Sequence, residues 1–149
     1  MAATNITVEE QIYIERSPEV VWDYTQDFSR RAHWDRSVLE AIVISELPDK
    51  IVKIKTKGSL TATLIYKLND RPRKTSLVMT DVNAALITGG GGSWTYEKKG
   101  NGTLWTQKNT LILAKGKIVW LLAPVFRWKL RSNTANAMKL AKVKLEIKA

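Results

Sequence analysis

Apolar and polar residues alternate along most of the chain that precedes its last thirty or so positions. A period of two is typical of β-strands that bury one face. The clearest example is 59–69, where Leu60, Ala62, Leu64 and Tyr66 are separated by threonine or another single residue. The same pattern predicts strands at 7–16, 37–46, 51–56, 75–82, 85–98 and 103–114, with turns near Pro48, near Pro72 and at Asn101-Gly102.

Two regions depart from this alternation. Ser17, Pro18 and Glu19 provide an N-cap, a first-turn proline and an acidic group at the positive end of a helix, so a short helix begins after the first strand. A second short helix or turn is predicted at 29–34. From 118 onward the spacing becomes helical, and a helix over 124–147 would be about 36 Å long. Its apolar stripe is Phe126, Leu130, Thr134, Ala137, Ala141 and Leu145.

The order strand, two short helices, six strands and long helix predicts an α+β fold. Six or seven antiparallel strands would form a curved meander, with the long helix covering its concave face. With 149 residues, 44% of them hydrophobic, and no low-complexity divider, the chain is expected to form a single domain, 1–149.

The long helix has an unusually thin apolar stripe. Thr134, Ala137 and Ala141 are small, so a helix laid on a sheet through this face would leave space beneath its middle. The pattern therefore indicates a container for a small, largely apolar molecule. With the alternation of each strand, it predicts a cavity lined by Leu64, Tyr66, Trp94, Tyr96, Trp105, Gln107, Asn109, Phe126, Leu130, Thr134, Ala137 and Ala141.

Strand alternation places Leu68 and Leu111 on the same inner face. The polar members of the set would each need a partner, because an unpaired buried amide or hydroxyl costs about 1–3 kcal/mol. Those partners could be other core residues, water or a ligand. A register error of one residue would exchange the two faces.

The net charge of +10 is concentrated partly in the tail, where seven Lys or Arg residues accompany Glu146 alone. A solvated helix face, an anionic membrane surface and an acidic partner all fit this charge, with the first favoured. No nucleic-acid-binding motif is visible, so nucleic acid is not an expected partner. The N-terminus has no signal-peptide pattern and the run 118–126 is too short to span a bilayer, which predicts a cytoplasmic protein.

Groups that could carry chemistry are few. The chain has one histidine and no cysteine, so we predict no metal site. The glycines at 89–92 lack the Gly-Lys-Ser/Thr ending of a phosphate loop, and no cofactor is predicted. They are expected instead where a strand bends or another backbone comes close. The weak catalytic candidates are His33, which Asp35 could orient, and Tyr96.

The segment 12–35, IYIERSPEVVWDYTQDFSRRAHWD, resembles the opening of the SRPBCC superfamily. This superfamily includes START domains, the birch-pollen allergen group and polyketide cyclase/dehydrase-like proteins. The matching positions are Pro18, Val21, Trp22, Asp23, Asp27, Trp34 and Asp35. Two further segments, Gly102-Thr103-Leu104-Trp105-Thr106 and, more loosely, 141–146, are similar to later family motifs.

The resemblance implies a helix-grip fold that encloses a hydrophobic ligand between the sheet and the last helix. We therefore expect binding of a lipid-like or polyketide-like molecule. Two alternatives stay open: a cyclase or dehydratase that uses cavity tyrosines and His33 for proton transfer, and a lipid carrier that contacts membranes through its basic last helix.

Overall fold

Seven strands and three α-helices make up the computed structural model, which describes residues 4–147. The strands are β1 Thr4–Ile14, β2 Val38–Ser45, β3 Ile51–Thr56, β4 Thr61–Asp70, β5 Lys74–Asn83, β6 Ile87–Lys99 and β7 Gly102–Leu113. They form one antiparallel sheet in the order β1-β7-β6-β5-β4-β3-β2. The meander from β2 to β7 and the α+β class are as predicted, and β1 and β2 are the two edges.

Two short helices and a single 3₁₀ turn follow β1. Helix α1 spans Pro18–Thr25, the 3₁₀ turn spans Phe28–Arg30, and α2 spans Arg31–Trp34. The predicted cap is present, because the Ser17 hydroxyl accepts the Val20 N–H at 3.3 Å. The Asp27 carboxylate accepts the Ser29 N–H at 3.0 Å and caps the 3₁₀ turn in the same way.

The last helix, α3, spans Lys117–Ile147 and therefore begins seven residues before the predicted start at Pro124. Pro124 lies inside α3, where its missing N–H weakens the hydrogen-bond ladder. The residues around it compensate by packing: Val119 is buried against Ile6 of β1 and Leu113 of β7, and Phe126 packs on the same cluster. This burial, which local sequence cannot reveal, extends the helix through the proline.

Helix α3 lies chiefly against β1 and also contacts β7, α1 and α2. The hydrophobic core between the helices and the sheet has three parts. One surrounds Trp34 and Trp105, a second surrounds Phe28 and Leu64, and a third surrounds Ile6 and Val119.

Leu68 is not on the inner face as the alternation of β4 predicts. Its side chain is 43% exposed. The pairing of β4 with β5 shifts register between Tyr66 and Leu68, and residues 67–69 are all exposed, so alternation ends where this part of β4 leaves the core.

Candidate functional site

Four aromatic rings from three different elements form an aromatic cluster beneath α3. Trp34 of α2, Trp94 of β6 and Trp105 of β7 meet edge to face, with ring centroids 5.5 to 6.0 Å apart. Tyr96 of β6 stacks on Trp105 at 6.0 Å. These are favourable geometries for aromatic pairs, and all four side chains are buried.

The small residues of α3 pack against the aromatic cluster. Ala137 and Ala141 belong to the same part of the core as Trp34, Trp94 and Trp105. The indole rings and the small residues of the thin stripe therefore share one part of the core. Trp34 was not included in the predicted lining because it comes from α2, and strand alternation gives no information about a short helix.

A polar network lies next to these rings. The Trp94 indole N–H donates to Asn109 Oδ1 at 3.1 Å, and the Asn109 amide donates to Gln107 Oε1 at 2.9 Å and to Thr134 Oγ1 at 3.2 Å. Gly92 makes this possible, because a Cβ there would stand 2.9 Å from Asn109 Oδ1. Three predicted polar lining residues thus satisfy one another to a large extent.

Three buried side-chain donors have no partner among the described residues. They are Gln107 Nε2, Trp34 Nε1 and Trp105 Nε1. An unpaired donor of this kind costs about 1–3 kcal/mol, so a hydrogen-bond acceptor that reached any of these atoms would be stabilised.

A second buried network joins Tyr96 to Tyr66 through Gln26. The Gln26 amide donates to Tyr96 Oη at 2.7 Å, and Tyr66 Oη donates to Gln26 Oε1 at 3.2 Å. Thr25 Oγ1 lies 2.8 Å from Tyr96 Oη and donates its own proton to the Val21 carbonyl, so Tyr96 donates to Thr25. Burial raises the pKa of both tyrosines above the ordinary value of 10.0.

Thr25 and Gln26 were not among the predicted site residues. They lie at the end of α1, and no periodicity in the sequence distinguishes a polar residue that faces the core from one that faces water. The position of Tyr96, between Thr25 and Gln26, means that its proton is engaged within the protein.

The other catalytic candidate, His33, lies on the exposed side of α2. Asp35 does not orient it. The Asp35 carboxylate accepts from Arg31 Nε at 3.0 Å and from the Ser37 hydroxyl at 2.6 Å. The Arg31 guanidinium in turn lies 4.9 Å from the ring centre of Trp34 and so covers the aromatic cluster.

The predicted lining residues are distributed over the three parts of the core. Leu64 and Tyr66 belong to the part of the core around Phe28, whereas Phe126 and Leu130 pack near Ile6. Of the predicted residues on α3, Thr134, Ala137 and Ala141 are buried near the tryptophans. Leu111, also predicted to face inward, is half-buried beside Phe126.

An open groove between α2 and α3, the α2–α3 cleft, has a volume of about 450 Å³. Its apolar lining includes Trp34, Ala137, Leu140 and Val143. Its polar lining is Arg36, Ser37, Asn133, Asn136 and Lys139, and none of these is acidic. The volume falls within the range of about 300–1,000 Å³ that is typical of small-molecule sites. Ala137 is the residue that this cleft shares with the predicted cavity.

Within 4–147, no three side chains of His, Asp or Glu come together as a metal site would require. Over the same residues no helix combines the length and the apolar character needed to cross a membrane.

Structural comparison finds many proteins of the same shape. The Zhui aromatase/cyclase from Streptomyces sp. R1128 superposes with a TM-score of 0.82 at 12% identity, over 96% of this chain and 94% of that one. A START superfamily protein from Mycobacterium smegmatis gives 0.78 at 10% identity, over 96% and 99%. Ara h 8.0201 gives 0.73 at 8% identity, over 97% and 100%. These matches confirm the helix-grip fold.

Among proteins with curated descriptions, none shows significant sequence similarity to this chain. A family model, in contrast, matches residues 5–143, nearly the whole chain. Its description is "Polyketide cyclase / dehydrase and lipid transport". The chain belongs to this family of the SRPBCC superfamily, as the motifs around Trp22 and Trp34 indicated.

Proposed function

We propose that this chain binds a small apolar or aromatic molecule, and that the molecule lies in the α2–α3 cleft. The observation that carries the proposal is the combination of a volume of about 450 Å³ with apolar contact surface from Leu140 and Val143, which lies over the buried Trp34 and Ala137. Membership of a family described by cyclases, dehydrases and lipid transport supports the same class of ligand.

The rim of the cleft favours a ligand that also carries an acceptor or an anionic group. Arg36 and Lys139 supply positive charge, and the amides of Asn133 and Asn136 supply donors. Neither Arg36 nor Lys139 forms an ion pair with an acidic residue in the described part of the chain. A flat or chain-like apolar body with one polar end would match this lining.

The surroundings of Tyr96 and His33 support binding over catalysis. A tyrosine acts as an acid when its proton can reach the substrate and its pKa lies near the working pH. The Tyr96 proton is engaged by Thr25, and burial raises its pKa further from neutrality. His33 is exposed and is not part of the cleft lining.

The test uses 1-anilinonaphthalene-8-sulfonate, a probe with an aromatic body and an anionic end. Asn136→Trp places a large ring in the cleft from an exposed position, and Lys144→Trp adds the same ring elsewhere on α3. We expect Asn136→Trp to weaken probe binding about tenfold or more, a difference of about 1.4 kcal/mol in binding free energy, and Lys144→Trp to leave it nearly unchanged.

Circular dichroism would establish that both variants are folded. Equal probe affinity in the wild type and in Asn136→Trp would contradict the proposed location. Native mass spectrometry of the purified protein would then show whether a natural small molecule is carried, and Asn136→Trp should lose it.

A further inference from the structure

The first half of α3 carries two apolar stripes, and only one of them faces the core. The inner stripe, Val119, Ala123, Phe126 and Leu130, packs near Ile6 and Leu113. The outer stripe, Ile118, Leu121, Val125 and Trp128, recurs at the spacing i, i+3, i+7 and i+10 on the opposite side of the helix. Its side chains are 73%, 66%, 57% and 70% exposed.

Two more apolar side chains extend this exposed surface. Trp120 is 57% exposed on one flank of the outer stripe, and Leu122 is 37% exposed on the other. Scattered exposed apolar residues are ordinary, but a continuous group rich in tryptophan marks an interaction surface.

The charges around the outer stripe have a single sign. From Lys115 to Leu145 the chain contains eight Lys or Arg residues and no Asp or Glu. Three of them, Lys115, Lys117 and Lys129, border the stripe and form no ion pair with any residue in 4–147. The whole chain carries a net charge of +10, so an anionic surface would attract the molecule from a distance.

We propose that the outer stripe docks on an anionic lipid surface, with the first half of α3 lying in the plane of the interface. Tryptophans are enriched at the level of lipid headgroups, and apolar helix faces bordered by lysine or arginine bind there. The lysines would contact acidic headgroups while Ile118, Leu121, Val125 and Trp128 enter the boundary of the acyl region.

A second copy of the chain fits the outer stripe less well than an anionic lipid surface does. In a two-fold dimer the same surface meets itself, so Lys115, Lys117 and Lys129 of one protomer would approach those of the other. The stripe region contains no acidic residue that could compensate. The proposal also stands apart from the ligand cleft, which lies beside the second half of α3.

Vesicle cosedimentation tests the proposal with two lipid compositions: phosphatidylcholine alone, and phosphatidylcholine mixed with phosphatidylglycerol. We expect binding to the mixed vesicles, little binding to phosphatidylcholine alone, and weaker binding at high salt because counterions screen the charges. Failure of the wild-type protein to bind the anionic vesicles would overturn the proposal.

Two pairs of variants distinguish docking through the outer stripe from nonspecific hydrophobic or electrostatic binding to vesicles. Leu121→Ser/Trp128→Ser removes apolar contact, and Ile42→Ser/Ile44→Ser makes the matched change at exposed residues of β2. Lys117→Glu/Lys129→Glu removes positive charge beside the stripe, and Lys53→Glu/Lys55→Glu does the same at exposed residues of β3. We expect each α3 variant to lose about tenfold or more in vesicle affinity and each control to change less than about twofold.

Equal losses of vesicle affinity in the α3 variants and in their controls would contradict specific docking through the outer stripe. Sedimentation velocity supplies the other decisive outcome, because a wild-type dimer that becomes a monomer in Leu121→Ser/Trp128→Ser would assign the stripe to a second copy and overturn the lipid proposal. If Leu121→Ser/Trp128→Ser still binds 1-anilinonaphthalene-8-sulfonate, the α2–α3 cleft and the outer stripe act separately.

Discussion

Tyr96 illustrates how a single side chain combines packing with hydrogen bonding. Its ring stacks on Trp105 and lies 5.0 Å from Trp22, and its hydroxyl joins Thr25 and Gln26. Sequence alternation correctly indicates that such a tyrosine points inward. It does not indicate that Gln26 from α1 comes within hydrogen-bond distance, because that contact requires α1 to fold back over β6.

At this scale we predict that Tyr96→Phe lowers the free energy of unfolding by about 1–3 kcal/mol, because the buried Gln26 Nε2 loses its acceptor. Urea denaturation would measure the change. Tyr13→Phe is the matched control: Tyr13 is 38% exposed and donates to the Lys99 carbonyl at 3.2 Å, so its loss should cost less than about 0.5 kcal/mol. Similar costs for the two variants would contradict a special role for the buried network.

At the scale of elements, the end of α3 is fastened to the end of β1 by charge-assisted contacts. The Glu15 N–H donates to the Glu146 carboxylate at 2.8 Å, and Lys142 Nζ lies 3.1 Å from the same oxygen. The hydrogen bond from Glu15 and the charge of Lys142 lower the pKa of Glu146 below its usual value of 4.5.

A lowered pKa in the folded state means that Glu146 stabilises the fold fully above pH 4.5, and that this contribution is lost as the pH falls through the folded pKa. We predict that Glu146→Gln is less stable than the wild type at neutral pH and that the difference shrinks below pH 4.5. Urea unfolding across this pH range would measure it. Glu9→Gln, an exposed glutamate of β1, serves as the control, and a difference that grew with acidity would contradict the assignment.

For the whole molecule, the excess positive charge is the dominant electrostatic feature. Several lysines on β3, β6 and α3 point to solvent, and a net charge of +10 on 149 residues disfavours the compact state through repulsion.

Salt screens this repulsion, so we predict that moderate sodium chloride raises the Tm of the wild-type protein. The Lys53→Glu/Lys55→Glu variant lowers the net charge and should show a smaller increase. Differential scanning calorimetry would measure both, and a Tm that fell with added salt would show that screened ion pairs outweigh the repulsion.

The sequence by itself determined the order of elements, the antiparallel meander and the inward direction of Trp94, Tyr96, Trp105 and Gln107. These follow from local physics, because alternation, turns and helix caps are properties of neighbouring residues. The motif around Trp22 and Trp34 also led to the family, since that segment carries enough matching positions.

Only the tertiary structure decided what lies beneath the long helix. Trp34 comes from α2 and belongs to the same part of the core as Ala137 and Ala141, and the α2–α3 cleft opens beside this part of α3. The exposure of the outer stripe could not be predicted either, because an apolar helix face has the same sequence pattern whether it packs against a core or faces water. Which face of α3 is covered depends on its long-range packing against β1 and β7, and no local pattern encodes that choice.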